Sequence, residues 1–411
     1  MKIIFCGYDG KNIINGINAW LLRLLPDLQN NGHQVVAIFL TGASEDQCTT
    51  IPILRQNGIE CLTIPFPHYT ESIISFLVKV TNQIKPDVFV PGNLLPALYA
   101  SKWIRNAGIT TIGILHNDDD EYEAILNEFV DDRQEYLSKI VAVSEVLYQK
   151  AKQKSKGIKV IKIPYGAPVS TSKSTLTETE KFKVFYVGRL AIKQKNIDKI
   201  AEAFCKIAKN IDNTEAYIFG SGPDTGIVEH IFTKHKNLNN IYLKGNLPNA
   251  ELREQLLSAH VIVLLSDYEG IPVAILEAMG CGVVPICKKI DSGIPELLFD
   301  SETGYYVNDN EELIDKVKYL QSNPQYWESI STNAKNLIES KFSSKKNLEQ
   351  WLSIIADHKI CAFNNIKLPR KLKLPPPHQH LIGGDRRNLP IAVKLLLKGK
   401  QAFSNYLLKR D

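Results

Sequence analysis

A chain of 411 residues, 44% apolar and 23% charged, is longer than one core usually supports and has ordinary globular composition. Two domains are expected, and wholesale disorder, a collagen-like repeat and a disulfide miniprotein are excluded. The net charge of +5 is uneven: residues 359–411 carry twelve Lys or Arg against two Asp, and residues 1–358 carry a net −5. This describes a mildly acidic, enzyme-like body with a cationic appendage, not a nucleic-acid-binding fold.

Short apolar runs alternate with amphipathic stretches from the first residues. Strands are predicted over 2–8, 33–40, 61–66, 87–91, 110–116, 139–144 and 159–164. Helices are predicted over 17–30, 72–84, 96–107 and 121–129. Continuous apolar strands separated by helices argue for a parallel sheet covered on both faces. Residues 169–180 are mostly Ser and Thr with no apolar periodicity, a linker composition.

The alternation then restarts. Strands are predicted over 182–187, 215–219, 240–244, 260–266 and 283–288, with helices over 196–210, 224–235, 249–259 and 272–280. Three closing helices follow over 311–322, 324–341 and 345–356, and Pro375-Pro376-Pro377 breaks the pattern. The expected organisation is α/β, with two doubly wound Rossmann-like domains over 1–168 and 181–356. A linker over 169–180 joins them, and a basic tail over 357–411 follows. Ligands of such sheets bind outside the strand carboxyl ends, so the cleft between the domains is the expected site.

The seven cysteines are scattered, odd in number and form no C-x-x-C pair. They read as reduced thiols of a cytosolic protein, not as a disulfide framework or a zinc site. The apolar run at Met1 is too short for a signal peptide, and no run approaches the ~18–20 residues of a membrane span. A soluble or peripherally attached protein is expected.

The segment Ser266-Asp267-Tyr268-Glu269-Gly270-Ile271-Pro272 follows a predicted strand and opens the helix that carries Glu277. Gly270 permits a tight turn, and Pro272 suits a first helical turn. The helix start offers free N–H groups to a diphosphate. Glu269 precedes the helix and can reach a polar ligand group. Glu277, more than a turn inside, can accept two hydrogen bonds from a vicinal diol such as ribose. Val187-Gly188-Arg189-Leu190 ends the first strand of this domain, with Lys195 at the next helix. Two cations there can neutralise a departing diphosphate without metal.

Arg189, Lys195 and the Glu269-x7-Glu277 segment resemble the retaining family 4 glycosyltransferases of the GT-B fold. The resemblance extends to Phe219-Gly220-Ser221-Gly222-Pro223, a glycine turn after a strand, and to Leu243-Lys244-Gly245-Asn246, a strand end beside the nucleotide base. Ala142-Val143-Ser144-Glu145 and Ile163-Pro164-Tyr165-Gly166 match landmarks that close the N-terminal domain. The resemblance implies that Arg189 and Lys195 hold the donor diphosphate, Glu269 meets the sugar hydroxyls and Glu277 the ribose. Backbone N–H groups of Ile275 and Leu276 would meet the phosphate. Gly188, Gly220, Gly245, Asn246 and Gly270 complete the donor-side set. Asn15-Gly16-Ile17 would be the loop that approaches the diphosphate. The family commonly has two glycines there, and this chain has Asn15 at the first.

His116 ends a strand at the cleft edge, where the family often has a His near the reacting sugar. Its neutral imidazole can hydrogen-bond a sugar or acceptor hydroxyl. Asp118-Asp119-Asp120 is similar to a metal-binding D-x-D cluster, but it opens a helix, where carboxylates cap N–H groups. No metal and no cofactor is expected, the nucleotide sugar being a substrate. His378 and His380 make only a weak metal tract. The glycines Gly7, Gly10 and Gly16 make no G-x-G-x-x-G, which disfavours a dinucleotide dehydrogenase, and no P-loop pattern is present.

In the tail, residues 389–409 can be drawn as a cationic amphipathic helix. Ala392, Leu396, Phe403 and Leu407 fall on one side, and Lys394, Lys398 and Asn405 on the other. That suits an anionic membrane surface; the alternatives are packing on the body or disorder. The activity expected is that of a retaining glycosyltransferase moving a hexose from a nucleotide-diphosphate sugar to a glycan or lipid-linked acceptor. It would work in the cytoplasm or at the inner membrane face. A nucleotide-sugar epimerase or a non-catalytic sugar-nucleotide binder are the rival readings.

Overall fold

The computed structural model describes residues 1–11, 15–66, 68–131, 135–177, 180–358, 362–381 and 383–396. The first half runs β1 (Lys2–Asp9), α1 (Gly16–Asn30), β2 (Gln34–Thr41), α2 (Ile51–Gln56), β3 (Glu60–Pro65), α3 (Thr70–Ile84) and β4 (Val88–Val90). It continues α4 (Leu95–Asn106), β5 (Thr110–Leu115), α5 (Asp120–Phe129), β6 (Lys139–Ala142), α6 (Glu145–Lys154) and β7 (Lys159–Lys162). The seven strands form one sheet in the order β3-β2-β1-β4-β5-β6-β7, and their ladders are parallel. The interior of β1 from Ile3 to Cys6 is buried, which is why its sequence is continuously apolar and not alternating.

The second half runs β8 (Phe182–Val187), α7 (Ile192–Lys195), α8 (Ile197–Asn210), β9 (Thr214–Phe219), α9 (Thr225–Lys234), β10 (Ile241–Gly245) and α10 (Asn249–Leu257). It continues β11 (Val261–Leu264), α11 (Val273–Gly280), β12 (Val284–Lys288), β13 (Tyr305–Val307), α12 (Asn310–Ser322), α13 (Pro324–Leu337) and α14 (Ser344–Ala356). Its six strands are parallel in the order β10-β9-β8-β11-β12-β13. The sequence patterns place the main strands and helices within a few residues. They omit α2, α6, α7 and β13, which are short or weakly periodic.

Residues of the expected linker lie along the second domain. Ser170 N–H donates to Gly280 O at 3.1 Å and Ser174 N–H to Cys281 O at 2.8 Å. The Ser174 hydroxyl bonds Ala259 O. Small hydroxylated residues let the backbone approach and also satisfy it, so a low-complexity stretch is held in place.

Two packing relationships set where the last parts of the chain lie. The last closing helix, α14, was expected within the second domain but packs on the first. Its Asn347 accepts from Trp20 Nε1 at 3.0 Å and donates to Pro164 O at 2.6 Å. Its Trp351 ring lies 5.8 Å from Phe5 and 5.5 Å from Trp20. Burying two indoles against the sheet outweighs sequence proximity to the second domain. The tail likewise returns to the first domain: Asn82 and Ile366 bond each other through backbone and side chain at 2.8 and 3.0 Å, and Leu381 is buried. Of the drawn amphipathic helix only 389–396 is described, and 391–396 of it is helical; Phe403, Lys398, Asn405 and Leu407 lie outside the described residues. The six described cysteines are free and buried.

Candidate active site

Each sheet has a point at which successive connections run in opposite directions, between β1 and β4 in the first and between β8 and β11 in the second. Strand ends diverge there and leave a crevice. At the first lies a cavity of about 480 Å³, lined by Gly7, Tyr8, Asn93, His116 and Glu121, with Arg189 contributed by the second domain. The two crevices therefore share one cleft.

The loops after β8 and β11 are tied to each other. Arg189 Nη2 donates to Gln194 Oε1 at 2.8 Å, and Gln194 Nε2 donates to Tyr268 O at 3.1 Å. Asp267 N–H donates to Gln194 O at 2.9 Å, and Asn196 Nδ2 to Leu265 O at 2.8 Å. Within this frame Lys195 Nζ pairs with Glu269. Both side chains are largely buried, at 16% and 8% exposed, so each charge depends on the other. The glycine turn after β9 supports the Arg189 loop from below. A Cβ on Gly220 would lie 1.9 Å from Gly188 O, and one on Gly222 would lie 2.2 Å from Leu190 O. Gly220 N–H donates to Gly245 O at 2.7 Å, and Asn246 Nδ2 to Ser221 Oγ at 2.8 Å. Gly245 and Asn246 thus stand one strand further out, beside the glycine turn.

Glu269 and His116 are brought together across the cleft by Gly270. A Cβ there would lie 2.1 Å from His116 O, so only glycine lets this loop close on the first domain. His116 is buried and its Nδ1 bonds the Tyr165 hydroxyl. Burial pulls its pKa down to about 3, so the ring is neutral at working pH, able to donate or accept a hydrogen bond.

The helix bearing Glu277 touches the first domain at both ends of the pair. Gly16 meets Val273, where a Cβ would come within 3.0 Å of Val273 Cγ2. Glu277 Oε1 accepts from Arg23 Nη1 of α1, and Arg23 also donates to Gly166 O at 3.3 Å. Asn15 is the α1 N-cap, with φ −134° and its side chain accepting from Asn18 N–H. Asparagine at this position thus supplies a cap from extended backbone. Ile275 and Leu276 N–H both donate to Pro272 O, at 3.1 and 3.2 Å. A phosphate would have to share those two donors.

The aspartate run is divided among separate tasks. Asp119 caps α5 by accepting from Tyr122 N–H, and Asp118 pairs with Lys150 at 2.6 Å. Asp120 lies 3.8 Å from His380, while His378 Nδ1 accepts from His380 N–H. Among the described residues no group of three or more His, Cys, Asp or Glu is arranged to hold a metal ion.

Sequence reasoning did not single out Arg23, nor Glu121 as a cleft residue, nor the Gly383-Gly384 pair that lines the same cavity. Burial, aided by the Asp119 carboxylate, pushes the Glu121 carboxyl up to about 7, opposed by a hydrogen bond from Gly383 backbone. None of the three carries a local signal, because each acts through a partner far along the chain.

Residues 170–337 match the family model described as Glycosyl transferases group 1. The match takes in most of the second domain. The chain is 28% identical over 155 residues to an alpha-monoglucosyldiacylglycerol synthase of Acholeplasma laidlawii, covering 38% of each protein. It is 26% identical to an N-acetyl-alpha-D-glucosaminyl L-malate synthase of Bacillus anthracis, over 44% of this chain and 47% of that protein. The matched regions thus span less than half the length of these curated relatives. The fold extends the likeness to both domains. Anabaena HepE in complex with UDP and glucose superposes with a TM-score of 0.70 at 16% identity, covering 87% of this chain and 100% of that one. The two facing Rossmann-like sheets are the GT-B fold.

Proposed function

We propose that the chain transfers a hexose, with retention and without metal, from a nucleotide-diphosphate sugar to a glycan or lipid-linked acceptor. The observation that carries this reading is Arg189 of the second domain lining the cavity of the first, with the Lys195–Glu269 pair held in the same loop frame through Gln194 and Tyr268. The names of the relatives support it: one makes a monoglucosyldiacylglycerol, and the Anabaena neighbour holds UDP and glucose. A uridine nucleotide is accordingly the favoured donor.

In this reading Arg189 and Lys195 take up the charge that develops on the departing diphosphate. Glu269 orients Lys195 and accepts from sugar hydroxyls. Neutral His116 bonds a hydroxyl of the reacting sugar. Glu277 is released from Arg23 or shared with it when ribose arrives. Closure of the two domains excludes water and limits donor hydrolysis. An oxygen of the leaving diphosphate takes the acceptor proton, in a front-face displacement.

The test is a thermal-shift panel of UDP-, GDP- and ADP-sugars, followed by product analysis. A donor at a hundred times its dissociation constant stabilises by about 2.7 kcal/mol. A flat response to all three would overturn the reading, and product formed from donor alone, by epimerisation, would replace it.

Beyond the chemistry, we propose that helix 391–396 places the enzyme at an anionic membrane surface on the cytoplasmic side. It is basic at Lys394, and its Ile391, Leu395 and Leu396 are exposed. Among the described residues no helix is long and apolar enough to cross a membrane, so attachment would be peripheral.

A further inference from the structure

Beyond the family-matched region, the chain returns to the first domain and reaches its cavity. Leu95 N–H donates to Gly383 O at 2.6 Å, and Gly383 backbone bonds the Glu121 carboxylate. No side chain fits at either glycine. A Cβ on Gly383 would lie 2.2 Å from Asn93 O, and Gly384 has φ +84° with Leu40 Cδ2 2.7 Å from its Cβ position. The residues that follow are anchored. Asp385 is buried, accepts from the Thr70 hydroxyl and is gripped by Arg387 through Nε at 3.0 Å and Nη2 at 2.6 Å. Arg387 also donates to Pro375 O at 2.6 Å, and the Arg386 guanidinium lies 4.0 Å over the Tyr69 ring. A buried two-point carboxylate–guanidinium pair holds its backbone in one geometry. This is far more construction than a tether to a membrane would need.

We propose that residues 383–387 are a built wall of the acceptor half of the cleft, and that Glu121, seated against it, binds a hydroxyl of a neutral sugar acceptor. The inference rests on the acceptor-side reading of the first domain. Tyr8 and Phe66 meet edge to face at 6.4 Å beside the same cavity, giving an apolar corner for a sugar ring. Asn93 and Glu121 supply polar groups opposite. Asp119 lies close enough to Glu121 to raise its affinity for a proton, so Glu121 can donate to an acceptor oxygen while the Asp119 charge disfavours a phosphorylated acceptor. Arg189, the cation at the cavity, faces it from the donor side.

Saturation-transfer NMR on the full chain tests this without requiring turnover. The probes are methyl α-glucoside, glucose 6-phosphate and, for the donor half, UDP. Signals are expected for methyl α-glucoside and UDP and not for glucose 6-phosphate. Glu121→Gln, which preserves shape, and Gly383→Ala, which displaces the wall, should each weaken glycoside binding about tenfold and leave UDP unchanged. The proposal is overturned if the glycoside is not bound, if glucose 6-phosphate binds as well, or if neither substitution affects the glycoside. It is equally overturned if UDP falls in parallel with the glycoside. Absence of UDP signals in the unsubstituted chain would instead strike the donor reading, whatever the glycoside does.

Discussion

Arg23 of the first domain and Glu277 of the second form an ion pair across the cleft, on helices whose residues are otherwise apolar neighbours. The pair is largely buried, with side chains 19% and 17% exposed. Arg23 Nε has no hydrogen-bond partner, so the guanidinium is held chiefly by Glu277 and Gly166. Removing one member leaves the other charged and poorly solvated. Arg23→Ala should lower stability by about 1–3 kcal/mol, read from urea unfolding. A double-mutant cycle with Glu277→Gln should show coupling, and additive losses would mean that the two act independently.

The Lys195–Glu269 pair is the second test. Arg189→Ala or Lys195→Ala should each reduce turnover at least about 100-fold if each stabilises leaving-group charge. Glu269→Gln should do so with a milder loss of donor affinity. Near-normal turnover in both cation variants would remove the charge-stabilising role, whereas loss of folding, monitored by circular dichroism, would reveal a purely structural pair.

Acid sensitivity follows from two buried imidazoles. Burial draws His116 down to about 3 and His260 down to about 4 from an ordinary 6.5. His260 accepts from Lys183 N–H at 2.9 Å and bonds Thr175 O at 3.1 Å, which requires the neutral ring. Both folded values are depressed, so the unfolded chain binds more protons below 6.5. Their contribution is present above that pH and is lost as pH falls from 6.5 towards 4. The urea midpoint should decline over that window, and His260→Asn should flatten the decline. Glu121 acts in the opposite sense. Its folded value of about 7 exceeds the ordinary 4.5, so its contribution is present below 4.5 and lost as pH rises through 7. Glu121→Gln should remove that alkaline loss.

Membrane attachment is tested by ending the chain after Pro390, which retains the wall at 383–387 and removes the helix that starts at 391. The full chain should co-sediment with vesicles containing phosphatidylserine, and the shortened one should not, with transfer to a water-soluble acceptor retained. Equal sedimentation would remove the role of this helix.

Much of the fold was legible because buried parallel strands and amphipathic helices imprint their periods directly on the sequence. The strand from Lys2 and the helix ending at Asn30 are cases in point. Arg189, Lys195, Glu269 and Glu277 could be singled out because each sits at a fixed offset from a strand or helix end, and the structure brings Lys195 to Glu269. Arg23, Glu121 and Gly383 were not. Their partners are Glu277, Asp119 with Gly383, and Leu95 with Asn93, and all but Asp119 are distant in the chain.

The sequence by itself determined two Rossmann-like units, a polar segment between them and a basic tail, since each is written in local period or composition. The tertiary structure decided where the ends of the chain go. Helix α14 leaves the domain it follows because Trp351 and Asn347 find Trp20 and Phe5 on the other. The tail, basic by count, enters the cleft through two glycines and a buried Asp385–Arg387 pair. Charge composition is a sum over residues and records no neighbours. Only packing shows that some of those cations are spent inside the molecule.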